Sequence, residues 1–231
     1  MKPLHNIIWT ALATRQTQFA ESRPHARRFL PEVTLLSAFD EPNAEGYASL
    51  RELIREGETL AIFIDEEFSS APGWQLVAKA PLVQMICEHF APAANDASKQ
   101  IVRLGQSDSE QMQALTALTK PGPFGPRTHE LGYYAGIRVE GKLVAMAGER
   151  LKVPGHTEVS AVCTHPDHLG QGYAQALMSD VMRQIIARGE TPILHSRADN
   201  ARAIAIYEKL GFRISKEWHF AVLRKVKRDR E

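Results

Sequence analysis

The run Val162-Cys163-Thr164-His165-Pro166-Asp167-His168-Leu169-Gly170-Gln171-Gly172-Tyr173-Ala174 holds the residues best spaced for chemistry. An apolar strand ends, a loop with two glycines follows, and a long helix opens. Such a junction turns several free backbone N–H groups and the positive end of a helix dipole toward one point. Glycine lets that backbone approach a bulky anion, so a phosphate or pyrophosphate is the natural guest. A plain strand-to-helix turn without a ligand would use the same residues, and the glycine pair alone does not choose between the two. A dinucleotide fingerprint fails, because Gln175 stands at the sixth position from Gly170 and Asp199 lies too far along for the acidic partner. A P-loop fails as well, since no Gly-Lys-Ser/Thr follows.

Other reactive side chains read more quietly. Cys163 could serve as a nucleophile, yet its apolar neighbours favour a buried small hydrophobe. His165 and His168 have a ligand-like gap but no third ligand, so no metal is expected. His195, at a strand end, reads as structural, with lining of the site as the alternative. Arg127, after the loop Pro121–Pro126, could hold a carboxylate or simply be solvated.

The elements that must position these residues come from periodicity and punctuation. A helix is expected over 7–19, a loop over 21–31, a helix over 47–55 and a strand over 59–64, followed by an apolar segment over 82–90. The small, polar stretch 91–99 reads as a linker, placing a boundary between an N-terminal subdomain (1–98) and a second domain (99–231). Glu56-Gly57 before Thr59–Ile62 echoes Glu140-Gly141 before Leu143–Met146, which raises the idea of a degenerate repeat. Beyond the linker follow a strand over 101–104 and a helix opened by a capping box of Asp108 and Gln111. A hairpin turns at Glu140-Gly141, and a strand over 157–164 carries Val159, Ala161 and Cys163 on one face and Glu158, Ser160 and Val162 on the other. A long helix over 171–187, a short strand over 192–195, a helix capped by Asp199 or Asn200, and one or two strands over 212–226 complete the chain. The pattern is α+β (α/β), with a mixed, mainly antiparallel sheet flanked by helices.

Composition narrows the class. The chain's 231 residues exceed one typical ~150-residue domain and fall short of two. Hydrophobic residues are 44% and charged residues 24%, as in globular proteins. A net charge of +1 argues for neither nucleic acid nor an anionic membrane as partner, and the basic run Arg224–Arg230 reads as a solvated tail. Two cysteines cannot build a disulfide scaffold, and no signal peptide or ~18-residue apolar run appears. A cytoplasmic protein is expected, with room for a homodimer.

Behind the glycine loop come Asn200-Ala201-Arg202-Ala203, then Tyr207, Gly211 and Phe212. With these motifs in that order, residues 99–228 resemble the GNAT superfamily of N-acetyltransferases, and within it the branch similar to glycine N-acyltransferases. The family loop signature is Gln/Arg-x-x-Gly-x-Gly/Ala; Gly172 and Ala174 fit it, and Leu169 stands where Gln or Arg is usual. The resemblance implies acetyl-CoA as acyl donor. The main chain of Val162, Cys163 and Thr164 would pair with the pantetheine arm, and Leu169, Gly170, Gln171, Gly172, Tyr173 and Ala174 would take the pyrophosphate. Asn200 would sit beside the pantetheine with Ala203 leaving it room, although Asn200 is equally a helix N-cap.

Acyl transfer to an amine needs a base, because an amine with a pKa near ~10 is mostly ammonium at pH 7. It also needs a proton for the departing thiolate. By the resemblance Tyr207 is the acid, although Ala203, Tyr207 and Leu210 on one helical face would also suit a core aromatic. By the same resemblance Glu158, four residues before Val162 on the strand entering the loop, is the expected base, and a carboxylate on a central strand is costly unless paired or functional. Pairing with Arg150 is the bland account of it; Glu149 or a water are rival bases. The acceptor expected from the branch is a small-molecule amine or amino acid, with a protein amino group as the alternative. A non-catalytic acyl-CoA sensor would need the loop but neither Tyr207 nor Glu158.

Overall fold

The computed structural model describes residues 3–92 and 100–227. The linker and the boundary at 98/99 therefore lie largely or wholly outside the described residues, as does the end of the basic run from residue 228. Arg224 and Lys225, expected in a solvated tail, instead close the last strand, and Lys225 Nζ donates to the Arg51 and Ile54 carbonyls. In chain order the elements are α1 (Ile7–Ala13), β1 (Ala20–Arg23), β2 (Ala26–Phe29), β3 (Ser37–Phe39), α2 (Ala44–Leu53), β4 (Thr59–Ile64) and β5 (Trp74–Cys87). Then follow β6 (Ile101–Leu104), α3 (Ser109–Thr119), β7 (Tyr134–Val139), β8 (Lys142–Val153), β9 (His156–Thr164), α4 (Tyr173–Ala187), β10 (Thr191–Arg197), α5 (Ala201–Lys209) and β11 (Phe212–Lys225).

Eight strands form one sheet in the order β4-β11-β5-β10-β9-β8-β7-β6. Every pairing is antiparallel except β9 with β10. The mixed, mainly antiparallel sheet flanked by helices is the fold class expected. Strands from both sides of the linker share this sheet, because β5 lies between β10 and β11. The expected division into two subdomains thus meets a continuous ladder rather than two separate sheets. The echo of 56–62 and 140–146 maps onto an edge strand and an interior strand of it.

Adjacent residues of β7 show how the two faces are filled. Ala135 packs with Leu177, Val181 and Ile185 of α4, while Tyr134 packs with Met112 and Leu115 of α3 on the opposite face. Helix α1 and the three-stranded sheet β1-β2-β3 bury Ile8, Leu12, Phe29 and Leu36 against Leu151, Val153 and Ile193. The 3.6-residue stripe of α4 is fully buried and the helix stops before left-handed Gly189 (φ 73°).

Three local expectations change. The arginine-rich stretch 21–31 is a hairpin and not a loop: Arg28 pairs with Glu21, and Arg27 lies 4.5 Å over the Trp9 ring, so long basic side chains find partners in strand geometry. The helix expected over 7–19 stops at Ala13, with a single 3-10 turn at Thr17–Phe19. The Asp108–Gln111 capping box does not form. Asp108 instead accepts from the Gly105 N–H at 2.8 Å, and Gln111 accepts from the Leu143 N–H at 3.0 Å.

Candidate active site

The parallel ladder between β9 and β10 runs only from His156↔Thr191 to Glu158↔Ile193, and beyond it the two strands part. The edge of β9 from Val159 onward therefore offers main-chain donors and acceptors without a strand partner on the β10 side. At the end of β9 a 3-10 turn (Pro166–His168) leads into Gly170 and Gly172, both left-handed (φ 78° and 75°). A Cβ at either glycine would point into open space, so torsion and not crowding selects glycine there. Gly172 is the N-cap of α4 and no side chain caps that helix, the arrangement an anion-binding helix start requires.

These parts border a single cleft of about 1040 Å³. Residues 162–164 and 169–174 line it, together with Asn200, Ala203 and Tyr207 from α5. All the residues expected to hold the acyl donor are thus brought together. Asn200 also accepts from the Ala203 N–H at 3.2 Å, so it caps the helix and borders the cleft at once.

Tyr207 is half-buried in this cleft, its ring edge-on to Phe212 at 6.4 Å. Burial raises its phenol above the ordinary value, so the hydroxyl carries its proton through neutral pH. Cys163 lines the cleft but burial pushes its thiol up to about 11, which makes it an inert small hydrophobe and not a nucleophile.

Glu158 is placed elsewhere. It is fully buried and does not border the cleft. A bulge in β8 sets both Arg150 and Leu151 opposite it. Arg150 Nε and Nη2 donate to its two carboxylate oxygens at 2.8 and 2.7 Å, and the Leu151 N–H donates at 3.2 Å. His195 Nδ1 lies 2.7 Å from the same carboxylate, with His195 Nε2 3.2 Å from Gln84 Oε1. Burial would raise this carboxyl, but the Arg150 guanidinium, backed by His195, overrides it and holds the group well below the usual carboxylate range. A carboxylate so engaged is a poor proton acceptor, and the expectation of a general base gives way to the pairing with Arg150. The rival Glu149 is also buried and held, by Arg188 at 2.6 Å and Lys152 at 2.8 Å. Arg127 is spent on Glu130 and Glu32.

A second bulge divides β9 itself. Ala161 has φ 53°, and Ala161 and Val162 together oppose Ala147. Val159 consequently packs toward α4 while Ala161 and Cys163 pack toward α3, and Val162 turns to the α4 side. Strict alternation, which put Val159, Ala161 and Cys163 on one face, fails at this point.

The FR47-like protein family profile matches residues 134–221. A solved structure from Novosphingobium aromaticivorans, described as an acetyltransferase of the GNAT family, is 35% identical; the match covers 98% of this chain and 100% of that one, with a TM-score of 0.90. The chain belongs to the GNAT family. A GCN5-related N-acetyltransferase from Kribbella flavida shares the GNAT fold at 18% identity and a TM-score of 0.63, covering 95% of each chain. An acetyltransferase from Sodalis glossinidius is 47% identical over 49 residues, 21% of this chain and 34% of that protein. The match thus spans about a third of that curated relative.

Within this GNAT chain the loop, Asn200 and Tyr207 were legible, whereas the polar support behind Glu158 was not. Gln84 interrupts an apolar run in β5, and Gln16 donates to the Arg150 carbonyl at 2.7 Å while accepting from the Lys152 N–H at 3.1 Å. Both glutamines are buried, at 2% and 1% exposed. A polar residue inside an apolar stretch was the available signal, but only the fold shows what it touches. Among the described residues no group of His, Cys, Asp or Glu could hold a metal, and no helix is long and apolar enough to cross a membrane.

Proposed function

We propose that the protein transfers an acetyl or other short acyl group from acyl-CoA to the amine of a small molecule or amino acid by direct attack. The carrying observation is one cleft that joins an uncapped, glycine-opened helix start, an unpaired strand edge and a phenol hydroxyl. In this reading the α4 N-terminus takes the pyrophosphate, and the β9 edge pairs with the pantetheine amides. The amine nitrogen attacks the thioester carbonyl carbon, the C–S bond breaks, the Tyr207 hydroxyl gives its proton to the departing thiolate, and the proton shed by the acylated nitrogen restores the phenol through solvent. Glu158 acts through Arg150 and His195, and the ammonium loses its proton to water. The small acceptor is supported by the resemblance to the glycine N-acyltransferase-like branch.

Calorimetric titration with CoA and acetyl-CoA, on the parent and on Gly172→Asp, tests the reading. A carboxylate at the helix start repels a pyrophosphate, so affinity should fall at least tenfold. Absence of binding by the parent would end the transferase reading, and equal binding by the variant would move the site.

A further inference from the structure

On the opposite side of the β9 bulge from the cleft lies a small cavity of about 10 Å³, room for roughly one water. Tyr134, Arg150, Ser160 and the loop Pro121–Phe124 enclose it. One of its polar groups is unsatisfied. Tyr134 is 1% exposed and its hydroxyl has no hydrogen-bond partner. Arg150 commits Nε and Nη2 to Glu158, and no hydrogen bond among the described residues reaches its Nη1, which faces Gly122. A buried donor without an acceptor is expensive, so the Tyr134 hydroxyl beside this small space, with the Arg150 guanidinium in the same lining, calls for an occupant.

The strands are built to bring the phenol there. Tyr134 on β7 pairs with Gly148 on β8, which pairs with Ser160 on β9. The Tyr134 ring lies against Gly148 where any side chain would collide with it. The ring can therefore cross β8 and reach the level of Ser160. Two residues further on, Val162 already lines the acyl-donor cleft. Consecutive Cα atoms are about 3.8 Å apart, so a molecule held in the cavity is within reach of a thioester in the cleft. On the outside, Gly122 and Phe124 also line an open groove of about 420 Å³ along α3, so these two residues are the wall between groove and cavity.

We propose that this cavity is the subsite for a carboxylate on the acyl acceptor, with Tyr134 Oη and Arg150 Nη1 as its donors and Phe124 as the wall displaced on entry. The inference rests on the transferase reading above. Both groups are donors and one is cationic, so an ammonium is turned away from this end and an oxygen anion accepted. The acceptor is then an amine whose carboxylate lies next to the nucleophile, as in an α- or β-amino acid.

The test compares amino acids with their carboxamides and their decarboxylated amines, assayed by CoA release and by calorimetry on CoA-loaded protein, for the parent and Tyr134→Phe. The parent should favour the carboxylate series, and the variant should lose about 10- to 100-fold of that preference, with acetyl-CoA affinity unchanged. Its thermal midpoint should hold or rise, because the hydroxyl removed has no partner. Equal use of carboxylates and carboxamides by the parent, or a parental preference in the variant, overturns the subsite. Carboxylate-dependent binding without any CoA release supports the subsite and defeats the transferase reading. Neither binding nor release by any amine defeats both.

Discussion

Tyr207 and Glu158 were expected to act as a pair, yet their surroundings assign them different work. Tyr207 borders the cleft, no hydrogen bond among the described residues engages its hydroxyl, and burial keeps it protonated. Tyr207→Phe should therefore lower kcat by about 10²–10⁴ while leaving the thermal midpoint and acetyl-CoA affinity near the parent's. A fallen midpoint with parental kcat would make it a core aromatic. Glu158 behaves in the opposite way. Its folded carboxyl is depressed, so its stabilising effect is present above the ordinary value of about 4.3 and is lost as pH falls below that toward the folded value. In Glu158→Gln, Arg150 is left buried without its counter-charge, a loss of about 3–5 kcal/mol at pH 7. Thermal melts of parent and variant should differ most near neutrality, and the gap should narrow steadily as pH falls below about 4. Equal melts at pH 7 combined with a flattened rise of kcat/KM with pH would restore Glu158 as the base.

At the scale of elements, the glycine loop and its helix were legible because torsion, capping and dipole all act within a few residues. The hairpin turn at Glu140 (φ 50°) and Gly141 (φ 77°) was legible for the same reason. Helix α4 could be drawn from its stripe, and Asn200 from its capping chemistry. The two bulges were not legible. Nothing in Arg150-Leu151 or Ala161-Val162 marks an extra residue, yet each bulge decides what its strand presents. The first lets both the Arg150 side chain and the Leu151 N–H meet Glu158, and the second sends Val162 to one side and Cys163 to the other. A period-two reading carried past a bulge inverts every face beyond it. The arginines of 21–31 misled for a related reason: beside Glu21 across the hairpin, they meet Trp9 and Glu58, which are distant in sequence.

At the scale of the whole molecule, the chain before the linker belongs to the site's foundation. β5 pairs with β10 from Leu82↔Arg197 to Ile86↔Ile193 and with β11 along nearly its whole length. From this segment Gln84 reaches His195, Phe63 packs on the His195 ring at 4.9 Å, and Gln16 ties down the backbone at Arg150. Removing β5 would strip a ladder from two strands in mid-sheet and expose Met85, Leu194 and Phe212, all buried. The two parts should therefore fold and melt as one cooperative unit. A protease site inserted within residues 93–99, cut in the folded protein, checks this. The two pieces should co-elute on size exclusion, melt in one transition and keep acetyl-CoA affinity, coming apart only in denaturant. Two separate transitions, or release of a folded fragment beginning near residue 100 that still binds acetyl-CoA, would show instead that the boundary read from linker composition separates independent domains.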